Sequence, residues 1–230
     1  MNAATLLQQT LHLVGKDLRR EIRTREVLTT TVSFAILLVV LFAFAFYREV
    51  ETVSLVFPGI LWVALIFTGT LTISRTFHHE AQADTLRALA LIPGSTTSLY
   101  LGKFLVNLLF VSVFVAILFA FLVLAFAVEI GPLLWIHALN LVIGTVGFVA
   151  VGTLVVAMLV RSDLREVLLP LVLYPLLIPL LIAGVMNTRA LMEGASFDEV
   201  RPLLQAMIAM DLVYAILGVW LFRWVLQALE

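Results

Sequence analysis

Apolar residues gather along this chain in six long runs, and ahead of the first run they fall instead on one stripe of a helix. The runs cover roughly 28–47, 54–74, 104–128, 133–160, 166–187 and 203–226. About 20 apolar residues in a helix cross the hydrocarbon of a bilayer, so each run is long enough to span one. The other spanning architecture, a closed β-barrel, needs alternating segments of about ten residues, and the chain has none. The first run holds eleven Val, Ile, Leu and Phe residues between Val32 and Phe46. At about 0.3–0.6 kcal/mol each, they favour insertion by roughly 3–7 kcal/mol. The pattern predicts an all-α polytopic membrane protein with six transmembrane helices.

Residues 4–25 behave differently. Leu7, Leu11, Val14, Leu18 and Ile22 share one helical stripe, and Lys16, Arg19, Arg20 and Arg23 fall largely on the other side. That pattern predicts an amphipathic helix in the membrane interface, basic on its wet face. The organisation that follows is an interfacial helix over 1–27, one transmembrane domain over 28–226 and a short tail over 227–230. Between the second and third runs lies a longer connection, 75–103. Its first half predicts a short helix ended by the breaker pair Pro93-Gly94, after which Ser95 can cap the next helix.

Composition agrees: 63% of residues are hydrophobic and 13% charged, too few charges to cover a water-soluble domain of 230 residues. The absence of cysteine excludes disulfides and thiolate metal sites. No basic pattern calls for nucleic acid. The placement of charge sets the orientation. Eleven of the 14 Lys and Arg residues flank the runs on the side of both termini, and only Arg48, Arg189 and Arg201 fall on the other. The positive-inside bias then puts both termini and the 75–103 connection in the cytoplasm, with short external loops near 48–53, 129–132 and 188–202. The first run lies behind a charged segment and reads as an uncleaved span rather than a signal peptide.

Familiar catalytic motifs are missing. There is no G-x-x-x-x-G-K-[ST] phosphate loop, so the chain does not by itself hydrolyse ATP by that route, and no G-x-S-x-G, H-E-x-x-H or G-x-G-x-x-G. His78 and His79 are adjacent, which on a helix points them about 100° apart and makes a poor metal pair. Neither a catalytic centre nor a metal site is expected. Three other features carry possible chemistry. Asn140, Gly144, Thr145, Gly147 and Gly152 share half of the fourth span's surface, where small residues let helices approach. Pro170, Pro175 and Pro179 interrupt the fifth span and predict a bent or locally unwound helix. Asp211 lies within the sixth span, where an ionisable residue is a functional candidate. Counting inward from the external edge puts His137, Asn140 and Asp211 at comparable depth, an expected polar cluster in the outer half of the membrane.

The ordered set of segments resembles the cytochrome c maturation protein B family, permease subunits of ATP-binding-cassette (ABC) haem exporters. The segments are KDLRREIRTREVL before the first span, FPGILWVALIF in the second, SRTFHHEAQADTLRALALIPGS and YLGK in the connection, GTVGFVAVGTLVVAM in the fourth, REVLLPLVLYPLLIPLLI in the fifth, and Asp211. The chain departs from the family's usual pattern at Thr85 and Ala88. The resemblance implies an ABC-2-type permease fold in a bacterial inner membrane, paired with an ATP-hydrolysing subunit as two permeases and two ATPases. It also implies a haem-handling membrane subunit and a small membrane-anchored subunit as partners. Haem is then a handled substrate rather than a bound cofactor, and ATP binds the partner alone. Hydrolysis would drive haem export or release of a haem-loaded chaperone. On this reading 75–103 is the coupling loop, and Glu80, Asp84 and Arg87 face the ATPase.

Two other functions fit the same layout. One is an ABC-2-type export permease for a lipid or drug. The other is a proton-coupled secondary carrier with Asp211 as its titrating group, for which an inverted repeat is expected and none is evident.

Overall fold

The computed structural model describes residues 3–46, 50–82, 95–128, 130, 133–160 and 162–227. Among them the backbone forms seven helices and no strand: α1 (Ala3–Thr24), α2 (Glu26–Ala45), α3 (Val50–Gln82), α4 (Ser95–Phe126), α5 (Leu134–Leu159), α6 (Arg165–Met192) and α7 (Phe197–Gln227). The helices α2 to α7 are long and apolar enough to cross a membrane, and the chain is a multi-pass membrane protein. α7 alone runs about 40 Å from Phe197 to Trp224, close to the full thickness of a bilayer with its headgroups. Aromatic residues mark its two ends. The rings of Phe197 and Trp135 of α5 meet at a tilt with centres 5.4 Å apart, and Trp224 lies 5.0 Å from the Arg223 guanidinium, as side chains at a membrane–water boundary do.

Several helices outrun the apolar runs that mark them. α3 continues to Gln82 and α4 begins at Ser95. The described part of the 75–103 connection therefore extends two spans; no separate short helix forms before Gln82, and Ser95 is the first residue of α4. The reason is local. A hydrogen-bonded helix stops at a breaker, and Ser74–Gln82 contains none. Residues 83–94 lie outside the described residues.

α5 is the centre of the bundle. In its apolar window 83% of residues are buried, against 22% in α2, 28% in α4 and 22% in α7. It packs on α3, α4, α6 and α7. The outer helices of the bundle turn apolar side chains outward, with Leu37, Phe44, Leu124, Leu171 and Ile216 all more than half exposed. Exposed leucine is costly in water and neutral against acyl chains, so this outer surface is the lipid face.

Close approach of the helices depends on glycines that each admit one neighbour. A Cβ at Gly69 of α3 would lie 2.5 Å from the Phe148 ring, and one at Gly152 would lie 2.7 Å from Ile73. α1 is held by the start of α4. Leu13 packs where a Cβ on Gly102 would stand 3.1 Å away, and Ser98 donates to Gln9 at 3.0 Å. Lys103, buried at the end of the connection, donates to Asp17 at 2.7 Å and lies 5.4 Å from the centre of the Phe77 ring. Leu7, Leu11 and Ile22 stay exposed, an apolar stripe that no described part of the chain covers. Between α1 and α2 the backbone turns at Arg25, which is left-handed (φ 53°). The Glu21 carboxylate accepts from the amides of Val27 at 3.3 Å and Leu28 at 2.8 Å, capping α2 from the helix before it.

Candidate functional site inside the bundle

The densest polar site joins α3, α5 and α6 in the half of the bundle away from α1. Asn140 donates from Nδ2 to the Gly184 carbonyl and to Thr188 Oγ1, both at 3.0 Å. Asn187 donates to Asn140 Oδ1 at 3.3 Å, and its Nδ2 also stands 3.7 Å from Met207 Sδ of α7. Thr188 donates to the Gly184 carbonyl at 2.8 Å, and the indole N–H of Trp62 donates to Thr188 at 2.9 Å. The Trp62 ring sits between Gly144 and Gly184, where any Cβ would overlap it. All four polar side chains are buried. In a bilayer interior, unpaired amides and hydroxyls are costly, so these bonds favour one helix arrangement, although Asn187 Oδ1 is buried with no partner among the described residues.

The three expected members of an outer polar cluster separate in the structure. Asn140 belongs to the network just described. His137, one turn earlier on α5, faces α4; its ring centre is 6.3 Å from that of Phe119, and its buried Nε2 has no hydrogen-bond partner among the described residues. Asp211 faces Gly147 and Leu180, where a Cβ on Gly147 would overlap the carboxylate. Gly147 is seven residues beyond Asn140, about 10 Å along α5. Asp211 is buried, and its Oδ1 has no partner among the described residues. Tyr214, one turn on, donates instead to the Leu176 carbonyl of α6 at 2.7 Å.

That bond falls beside the prolines. α6 stays helical through Pro170, Pro175 and Pro179, with no unwound turn. Pro179 leaves the carbonyl of Pro175 without its helical donor, so the bond from Tyr214 to Leu176, one residue on, adds to α6 rather than replacing a lost bond. The helix is continuous through the three prolines, without the locally unwound turn, and Tyr214 ties it to α7.

A second polar seam lies nearer α1. Thr76 donates to Asn107 at 2.6 Å, Asn107 donates to Thr153 at 3.0 Å, and Tyr100 donates to the Ala150 carbonyl at 3.1 Å, tying α3, α4 and α5. Sequence reasoning singled out neither this seam nor Trp62, Asn187 and Thr188. Asn107 and Asn187 inside apolar runs were the available signal. Of the expected coupling charges, Asp84 and Arg87 lie outside the described residues, as does the side chain of Glu80, whose backbone belongs to α3. Among the described residues no three His, Asp or Glu side chains gather as metal ligands.

Residues 8–224 match the family described as CcmB protein. The chain is 26% identical over 172 residues to Heme exporter protein B of Haemophilus influenzae, covering 75% of this chain and 77% of that protein. It is 28% identical over 185 residues to Heme exporter protein B of Pseudomonas aeruginosa (79% and 81%) and 28% identical over 189 residues to that of Rhodobacter capsulatus (81% and 85%). The match takes in α2 to α6 entire and all but the ends of α1 and α7, and the chain belongs to the CcmB protein family.

Proposed function

We propose that the chain is the permease subunit of an ABC-type haem exporter acting in c-type cytochrome biogenesis. The observation that carries the reading is the family match over 8–224, joined to relatives that are each named heme exporter protein B. The lack of a phosphate loop in the sequence supports a division of labour in which a partner subunit hydrolyses ATP and this chain has no enzymatic role. On this reading two permeases work with two ATPases, a haem-handling membrane subunit and a small membrane-anchored subunit in the inner membrane. Both termini are cytoplasmic. Haem is cargo, and hydrolysis drives its export or the release of a haem-loaded chaperone. Glu80, Asp84 and Arg87 receive the ATPase stroke. The buried groups of His137, Asn140 and Asp211, with the braced Pro170–Pro179 stretch, form the part of the bundle that responds. The test is affinity purification of tagged full-length chain in mild detergent, with identification of its partners and of bound haem. Recovery of an ATPase and haem-maturation subunits is expected. A chain recovered alone that exports at full rate with no nucleotidase present overturns the proposal.

A further inference from the structure

A cavity of about 370 Å³ occupies the wedge between α2 and α6, both of which pack on α3. Its charged rim comes from Arg75, Arg165 and Glu166, and its wall from Thr70, Tyr174, Pro170 and neighbouring apolar side chains. Phe67 and Tyr174 close one side edge-on, with ring centres 6.1 Å apart. Arg75 also stands 3.9 Å from Glu26, so the rim holds two cations with acids near them rather than a bare positive patch. Thr70 is more than nine-tenths buried, and its hydroxyl stands beside the Tyr174 side chain. Through Pro170 and Tyr174 the cavity adjoins a shallow apolar groove along α6, bounded by Val167, Leu171 and Pro175. Val167 and Leu171 are two-thirds exposed on the lipid face.

This sequence of surfaces is graded. Guanidinium groups stand at the level where α6 starts and α3 leaves the membrane, hydroxyls lie beneath them, and a chain-wide apolar groove lies alongside. A soluble anion uses only the first of these. We propose that the cavity and groove form a binding site for an anionic phospholipid of the cytoplasmic leaflet. The phosphate sits at Arg75 and Arg165, the glycerol region near Thr70, and one acyl chain along Pro170–Pro175. Basic pockets between transmembrane helices bind acidic headgroups in this way. The cavity is smaller than a whole phospholipid, and the groove lets the rest remain in the bilayer. The assignment to the inner leaflet rests on the orientation proposed above; the binding itself does not.

The full-length chain in nanodiscs of equal phosphatidylglycerol and phosphatidylcholine, released into mild detergent and weighed by native mass spectrometry, tests this. One retained phosphatidylglycerol per chain is expected, with little phosphatidylcholine. R75Q and R165Q should each lower retention about fivefold. S74F, at a serine of α3 that also lines the cavity, fills it and spares both arginines, and should lower retention as well, while R223Q, outside the cavity, should not. Should the arginine variants fail to fold, S74F decides. Equal retention of the two lipids, or R75Q and R165Q chains with unchanged helix content and undiminished phosphatidylglycerol, overturns the proposal. So does a lipid-free dimer, which assigns the face to a second copy, or displacement of the lipid by added haem with a Soret band, which assigns the site to the cargo.

Discussion

The indole of Trp62 and the hydroxyl of Thr188 meet at 2.9 Å between α3 and α6, and the ring behind that bond fills the space left by Gly144 and Gly184. Backbone approach and hydrogen bond depend on each other here. Gly184→Ala and Gly144→Ala should each destabilise the bundle by about 1–3 kcal/mol, the usual range for overpacking. Trp62→Phe removes one donor from a threonine that keeps Gly184 and Asn140, and should cost nearer 1 kcal/mol. Thermal unfolding in mild detergent ranks them. A Gly184→Ala melt as high as the parent's would show that the indole can leave its slot.

Asp211 carries a different expectation. Its Oδ1 makes no hydrogen bond among the described residues, so the isosteric Asp211→Asn change sacrifices little structure. Assembly and melting temperature should be preserved, and export should fall about fivefold or more, the low end of a site-to-site coupling energy. Gly147→Ala, which presses on the same carboxylate, should act in the same direction. Full export by Asp211→Asn would remove the residue from the mechanism.

The ion pair of Lys103 and Asp17 joins α1 to the end of the connection, with side chains 3% and 13% exposed. Breaking one side of a buried pair costs about 3–5 kcal/mol, whereas replacing both is often near neutral. Asp17→Asn should therefore loosen α1 more than the double change of Asp17→Asn with Lys103→Met. Tryptic cleavage at Arg19, Arg20 and Arg23 reports it: faster cutting in the single variant, recovery in the double. Equal cutting in both would assign the docking of α1 to Leu13 and Gly102 instead.

Charge reversal at Glu80, Asp84 and Arg87 addresses the proposed ATPase contact. Each should weaken recovery of the ATPase subunit or uncouple hydrolysis from export by about fivefold, one exposed charge contact being worth up to about 1 kcal/mol. Hydrolysis coupled as in the parent in all three variants would move the contact elsewhere, α1 being the other basic surface.

The spans were legible in the sequence because a bilayer imposes a length on apolar runs, and all six runs became helices. Their ends were less so. Apolarity marks the hydrocarbon, while a helix such as α3 continues into water until something breaks it. Counting residues inward from each external edge put His137, Asn140 and Asp211 level, yet α7 begins at Phe197, before its apolar run, and seats Asp211 opposite Gly147. Proline content allowed a bent or a locally unwound α6; the helix is continuous, and its contact with Tyr214 could not be read because that donor belongs to another helix. Trp62 was hidden for the same reason: its slot is made by glycines 82 and 122 residues further on.

The corner at Arg25 sets how force can travel through this chain. The first amides of α2 are held by a carboxylate that belongs to α1. Rocking α1 away would strip α2 of its cap, and with α1 gripped by α4 the two helices share a stiff hinge. Movement of the amphipathic helix is thereby coupled to the start of the first span through a single carboxylate.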